Sequence, residues 1–206
     1  MSTARSTFHN LPEDKQARII EAALAEFATK GYPQASLNAI VARAGIAKGS
    51  LYQYFPDKKG FFLYIFEFAI ALVRRVLVQV KEETASGDFF TRLEKSLWTG
   101  VRFIRQYPQV YGLYLKILFD PQVPEREALL RAVRRFAADY LRSLVRQGMA
   151  RGELRADLPL ETTIFLLDAL LDRFLQGVTV PGFDATLGLE GAGADRVQQR
   201  ISELVS

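Results

Sequence analysis

The segment Lys48-Gly49-Ser50-Leu51-Tyr52-Gln53-Tyr54 gathers hydrogen-bonding side chains around one bare glycine. A lysine ammonium donates to phosphate oxygens or to guanine O6 and N7, and a glutamine carboxamide pairs with adenine. Ser50, Tyr52 and Tyr54 add hydroxyls, and a tyrosine ring can also meet a thymine methyl. Gly49 lets the backbone of such a segment lie close to base edges. Nothing in the segment pairs a nucleophile with a base, so its chemistry is recognition rather than bond cleavage. Further candidates flank it. Ser36 stands at a helix start, where backbone N–H groups favour a phosphate. Lys58 stands at the next helix start, and Asn38 and Arg43 lie between. Each has an ordinary structural reading beside the functional one: Gly49 as a flexible spot, the lysines as solvated surface, Tyr52 as core. For Phe55 the core reading is the preferred one.

Such a segment needs a rigid support. Ser36 caps a helix with Leu37, Ile40, Val41 and Ala44 apolar, and Gly45 ends it. A second short helix runs from about Ala47 to Tyr54. Two short helices joined by a glycine turn are a helix-turn-helix. Ala42, Ala44 and Ala47 allow close approach, and Ile40, Ile46 and Leu51 pack beneath. Pro56-Asp57 stops the second helix, and Asp57 caps the next. Upstream, residues 1–11 read as a flexible tail, and Pro12-Glu13-Asp14 starts a helix that carries Ile19, Ile20, Ala23, Leu24 and Phe27 up to Gly31. Downstream, the periodicity predicts helices over about Lys58–Glu83, Phe89–Gln106, Val110–Phe119, Pro124–Met149, Glu161–Gln176 and Arg196–Val205, with a glycine-rich loop over 177–194. No strand alternation and no internal repeat occur. The fold class is all-α with about nine helices: a three-helix domain with the helix-turn-helix over 12–57, and a helical bundle over 58–206.

Composition narrows the function. The formal net charge is +4. Residues 1–60 hold eight Lys and Arg against five Asp and Glu, whereas the rest holds 19 against 18. The excess therefore sits where phosphates would be met. There is no cysteine and one histidine, His9. Disulfides, thiol catalysis and cysteine zinc fingers are excluded, a two-histidine zinc site has too few ligands, and the one histidine lies in a polar N-terminal tail, which argues against a Ser-His-Asp triad. No catalytic residue, metal ligand or cofactor is expected, and the chain does not read as an enzyme. Met1–Asn10 is polar and reads as no signal peptide. The most apolar stretch, Phe61–Val73, is too short for a bilayer, which needs about 20 residues. A cytoplasmic protein with no membrane partner is expected.

The run Ser36-Leu37-Asn38-Ala39-Ile40-Val41-Ala42-Arg43-Ala44-Gly45-Ile46-Ala47-Lys48-Gly49-Ser50-Leu51-Tyr52-Gln53-Tyr54-Phe55-Pro56-Asp57-Lys58, preceded by Ile19 to Tyr32, resembles the DNA-binding domain of the TetR (tetracycline-repressor-like) family over roughly residues 15–62. Ala47 departs from the pattern, since the family often has a capping Ser or Thr there. Gly60 departs too, where a helix former is usual. Past residue 62 the likeness is one of architecture only. The resemblance implies double-stranded operator DNA as partner, with Ser36, Asn38, Lys48, Gly49, Ser50, Tyr52, Gln53, Tyr54 and Lys58 as its contacts.

The resemblance also implies a homodimer built on Glu161–Gln176 and Arg196–Val205, and a small-molecule effector. Two half-sites about 34–36 Å apart need two copies. Candidate effector contacts are Phe66, Trp98, Phe103, Tyr107, Tyr111, Tyr114 and Phe119. Asp168 joins them, a charge in an apolar helix that needs Arg173, a ligand or a second subunit as partner. The apolar surroundings favour a hydrophobic or amphipathic effector, such as an acyl-CoA, an aromatic compound or a drug. The implied function is a dimeric repressor released from a palindromic operator when the effector favours a non-binding state. The alternatives are an activator, an effector-free DNA-binding protein, and a helical-bundle ligand carrier or enzyme.

Overall fold

The computed structural model describes residues 6–205. Among them are ten helices and no strand: α1 (Ser6–His9), α2 (Glu13–Gln34), α3 (Leu37–Ala44), α4 (Lys48–Tyr54), α5 (Lys58–Glu83), α6 (Phe89–Gln106), α7 (Pro108–Phe119), α8 (Arg126–Ala150), α9 (Leu160–Thr179) and α10 (Ala194–Val205). None is long and apolar enough to cross a membrane. The nine expected helices are all present, and α1 is the addition. Contacts divide the chain into two compact units: the described part of Met1–Arg74 with Tyr107–Arg131, and Arg75–Gln106 with the described part of Ala132–Ser206. Residue 57, the expected boundary, falls inside the first of these units.

The first unit is built on α2, which packs against α3 and α7. Its apolar stripe is buried because helical spacing puts Ile19, Ala23 and Phe27 on one face, and all three are fully enclosed. Phe27 meets Phe61 and Phe62 of α5 with ring centroids 6.0 and 5.1 Å apart. These contacts assign the first turns of α5 to this unit. α2 breaks at Gly31 (φ 72°, ψ 169°) and resumes to Gln34, beyond the expected end. α8 starts at Arg126 rather than Pro124. Its first residue caps the preceding helix, with Arg126 Nε and Nη2 donating to the carbonyls of Ile117 (2.9 Å) and Leu118 (2.6 Å).

The flexible tail expected over residues 1–11 is corrected from Ser6 onward; residues 1–5 lie outside the described residues. α1 buries Phe8 completely. The ring lies 5.9 Å from Tyr54, 5.1 Å from Phe55 and 5.2 Å from Tyr64. Thr7 Oγ1 donates to the Gln53 carbonyl at 3.0 Å. One aromatic in a polar stretch is too short a pattern for periodicity to find.

The second unit has two apolar clusters. One joins Phe89 and Leu93 of α6 with Leu141, Leu144 and Val145 of α8 and Ile164 of α9. The other joins Leu97 and Val101 of α6 with Phe174, Leu189, Val197 and Ile201. Leu189 belongs to the glycine-rich segment, which is ordered by Asp184. Its carboxylate accepts from the N–H groups of Thr186 (3.0 Å), Leu187 (2.8 Å) and Leu189 (2.5 Å). Those bonds hold the Asp184 carboxyl below the usual carboxylate range. The expected loop starts later than residue 177, because α9 continues to Thr179.

If α1 is part of the core, Phe8→Ala should lower the unfolding free energy by about 3–5 kcal/mol. Urea denaturation measures this; a loss under about 1 kcal/mol, the range of an exposed site, would contradict it.

Candidate nucleic-acid interface

α3 begins where Ser36 Oγ accepts from the Ala39 N–H at 3.3 Å, the cap expected of it. The Ser36 N–H in turn donates to Glu26 Oε1 at 3.0 Å. Glu26 is 8% exposed, so a carboxylate from α2 is buried against the start of α3. Sequence reasoning did not single it out, although the spacing of Ile19, Ala22, Ala23 and Glu26 puts it on the buried stripe. α3 closes at Gly45, in the left-handed conformation (φ 67°, ψ 38°). Gly45 N donates to Ala42 O (3.3 Å) and Ile46 N to Val41 O (3.0 Å), a Schellman closure that a side chain at Gly45 would strain.

α4 follows without a side-chain cap, because Ala47 has no oxygen to offer. Its inner face is Leu51, 2% exposed, and Tyr54, 6% exposed. Tyr54, one of the expected DNA contacts, has its ring packed on Phe8, because i, i+3 spacing sets it beside Leu51. The outer face carries Lys48, Gly49, Tyr52 and Gln53, all exposed, with Ser50 half-buried. Ser36, Asn38 and Arg43 are exposed on and before α3. A Cβ built on Gly49 would meet no atom of the chain within 4 Å. The glycine is therefore not required by the protein's own packing.

Lys58 is turned inward in part. Its Nζ donates to the Pro33 carbonyl at 3.1 Å and stands 4.9 Å from the Tyr32 ring centroid. Partial burial lowers its pKa below the usual lysine value, and the nearby Glu26 carboxylate opposes that shift. Lys58 thus fastens the start of α5 to the end of α2. Asp57 caps α5, its Oδ1 accepting from Gly60 N at 2.7 Å. A Cβ at Gly60 would stand 3.1 Å from Pro56 Cγ, which accounts for a glycine where a helix former is usual.

The expected effector contacts are divided between the units. Phe66, Tyr107, Tyr111, Tyr114 and Phe119 belong to the first, and Trp98, Phe103 and Asp168 to the second. Phe66, Phe103 and Tyr111 are buried, whereas Phe119 is exposed. Tyr111 and Tyr114 have ring centroids 5.6 Å apart. Asp168 finds its partner within the second unit, in Arg134 rather than Arg173. Arg134 Nη1 is 3.2 Å from it and Arg134 Nη2 is 2.6 Å from Asp172, one turn along α9. Burial pushes the Asp168 carboxyl upward and Arg134 pulls it down, with Asp172 adding to the rise.

The exposed polar face of α4 can hydrogen-bond to an edge or a phosphate, and α3 holds it at a fixed angle. Ala47→Ser supplies the missing cap and should raise stability by about 1 kcal/mol. Thermal unfolding of both proteins checks this; an unchanged midpoint would mean that the uncapped N–H groups are already satisfied by water.

Residues 19–65 match the family model described as bacterial regulatory proteins, tetR family. Among solved structures, a TetR family transcriptional regulator from Chloroflexus aurantiacus J-10-FL is 32% identical, with a TM-score of 0.69, over 98% of this chain and 93% of that one. The HTH-type transcriptional repressor SCO4008 of Streptomyces coelicolor is 28% identical over 195 residues, 93% of each chain. The FadR regulator of Bacillus subtilis, solved in complex with stearoyl-CoA, has the same fold at 18% identity (TM-score 0.71, 92% of this chain and 96% of that one). Helix-turn-helix geometry, family model and full-length relative agree: the chain belongs to the TetR family of DNA-binding bacterial transcriptional regulators.

Proposed function

We propose that this protein is a homodimeric repressor that reads a palindromic operator through α4 and leaves it when a small hydrophobic or amphipathic effector binds. The observation that carries the DNA contact is the bare face of α4. Lys48, Tyr52 and Gln53 surround a glycine whose missing side chain leaves room for something outside the chain. Lys48 takes a phosphate or guanine, Tyr52 a phosphate or a thymine methyl, Gln53 takes adenine, and Ser36, Asn38 and Arg43 extend the contact along α3. Ser50 is a secondary contact. Tyr54 supports α4 from the protein side, and Lys58 fastens the start of α5 to α2. An operator-binding protein works in the cytoplasm.

The dimer is supported by α9. Phe165 is 69% and Leu166 60% exposed, and Leu170 continues the same face. An isolated copy would leave this stripe in water. α10 contributes less apolar surface, because Val197 and Ile201 are buried against the second unit's own core. The effector reading rests on the family and on FadR, whose ligand in the solved structure is stearoyl-CoA. Phe66, Tyr107, Tyr111, Tyr114 and Phe119 in the first unit, and Trp98 and Phe103 in the second, remain its candidate contacts. Release follows if the effector prefers the state that does not fit the operator.

Operator DNA selected from random sequence gives the test. Gly49→Ala should keep or slightly raise stability, since the conformation is helical, while weakening operator binding about tenfold or more, 1.4 kcal/mol per tenfold. Lys48→Ala should also flatten the salt dependence of binding, by about one unit of log–log slope if a phosphate contact is lost. Full affinity in Gly49→Ala would refute the close approach. Separately, Phe165→Glu with Leu166→Glu should give a monomer by light scattering; a persistent dimer would put the interface elsewhere.

A further inference from the structure

Arg92 lies on α6 and is 4% exposed. Arginine stays protonated in proteins, so a full positive charge is enclosed within the second unit. A buried charge is tolerated when a carboxylate answers it. No carboxylate among the described residues is within ion-pair distance of Arg92. Acids near this end of α6 are engaged elsewhere, and Glu94, two residues along, accepts from Ser202 Oγ. Asp88 caps α6 through the Thr91 N–H (2.9 Å) and hydroxyl (2.8 Å). Glu153 accepts from the Phe89 N–H (2.7 Å) and faces Arg151 at 3.9 Å.

Among the described residues the guanidinium has one side-chain partner, the neutral carboxamide of Gln147 on α8, with Nη1 to Oε1 at 2.7 Å. Its Nε is enclosed without an acceptor. The other groups bonded to Gln147 and Ser96 are neutral. Ser96 is buried, bonded to the Arg92 carbonyl (2.6 Å) and to the Tyr140 hydroxyl. Ser143 Oγ accepts from Gln147 Nε2 at 3.1 Å. This α6–α8 group therefore carries hydroxyls, an amide and one unanswered cation, a set complementary to an anion. A planar guanidinium with a spare N–H matches a carboxylate or a phosphate.

We propose that Arg92 anchors the carboxylate or phosphate group of an amphipathic ligand, with Gln147, Ser96 and Tyr140 as its neutral partners. The adjoining side chains of Phe89, Leu93, Leu141 and Leu144 pack as one apolar cluster, 1–5% exposed, which the ligand's body would have to part in order to lie against it. This assigns a charged head group to the effector, and so rests on the effector-released reading above. The charge is kept at a cost in stability that only binding offsets.

The test uses the full-length protein with dodecanoate, dodecyl phosphate and dodecanol, followed by the fluorescence of Trp98, the sole tryptophan. At least one anion should bind about tenfold or more tightly than the alcohol, the scale of a charge-assisted hydrogen bond; which one does separates carboxylate from phosphate. Arg92→Met should lose that preference and melt at the same or a higher temperature, because the unanswered charge is gone. Arg92→Lys keeps the charge without the planar fork and should fall between the two; it also decides the matter if Arg92→Met does not fold. Equal binding of alcohol and anions, or an anion preference that survives Arg92→Met, would overturn the proposal. So would no binding by the unaltered protein. Anion binding that leaves operator affinity unchanged keeps the site and defeats the effector reading. Operator release by dodecanol alone does the reverse.

Discussion

Phe55 sits immediately after α4, and its ring meets Phe61 at 4.5 Å, Phe8 at 5.1 Å and Tyr64 at 5.2 Å. α4 has only seven residues and no side-chain cap. A helix of that length has little stability of its own in water. Its direction is fixed by what lies under Leu51, Tyr54 and Phe55, which is an aromatic cluster drawn from α1, α4 and α5. Aromatic pairs add about 0.5–1.5 kcal/mol each beyond their area, so this cluster holds the reading head more firmly than α4 can hold itself. The Glu26–Ser36 bond does the same for α3 from the other side. The polar face of α4 is usable because every group beneath it is spoken for.

Much of this was legible in the residues. The apolar period, the glycine at 45 and the Pro56-Asp57 stop located α3, α4 and the start of α5, since each is a local signal with one physical meaning. What was missed required a third dimension. Tyr54 looks like Tyr52 in type, and only its position one turn from Leu51 turns it inward. Phe8 carries no period at all. Glu26 lies on a buried stripe, but a carboxylate there is credible only once a donor is known to face it. Asp168 was read as a charge needing a partner, and it does have one. The partner is Arg134, on another helix and 34 residues away, which no local pattern could name.

The second unit divides its apolar residues unequally. α10 spends Val197 and Ile201 on its own core, whereas α9 buries Ile164 and Phe174 and leaves Phe165 and Leu166 outside. The residues themselves set the two apart: α9 is apolar on more than one face, whereas α10 has one stripe, and the core takes it. Arg92 is the opposite imbalance, a charge kept inside where a leucine would pack.

The absence of a cap at Ala47 and of a side chain at Gly49 has a thermodynamic consequence. Both lie in the first two residues around the start of α4, so the turn nearest the outside is the least braced. Such a turn frays more readily than the packed turn that follows it. Docking on a duplex then includes an ordering step, and part of the interaction energy goes into completing the helix. A site that engages the whole face drives that step to completion, whereas a site touching only phosphates leaves the first turn loose. Discrimination between DNA sequences thereby acquires an entropic and heat-capacity component alongside its hydrogen bonds.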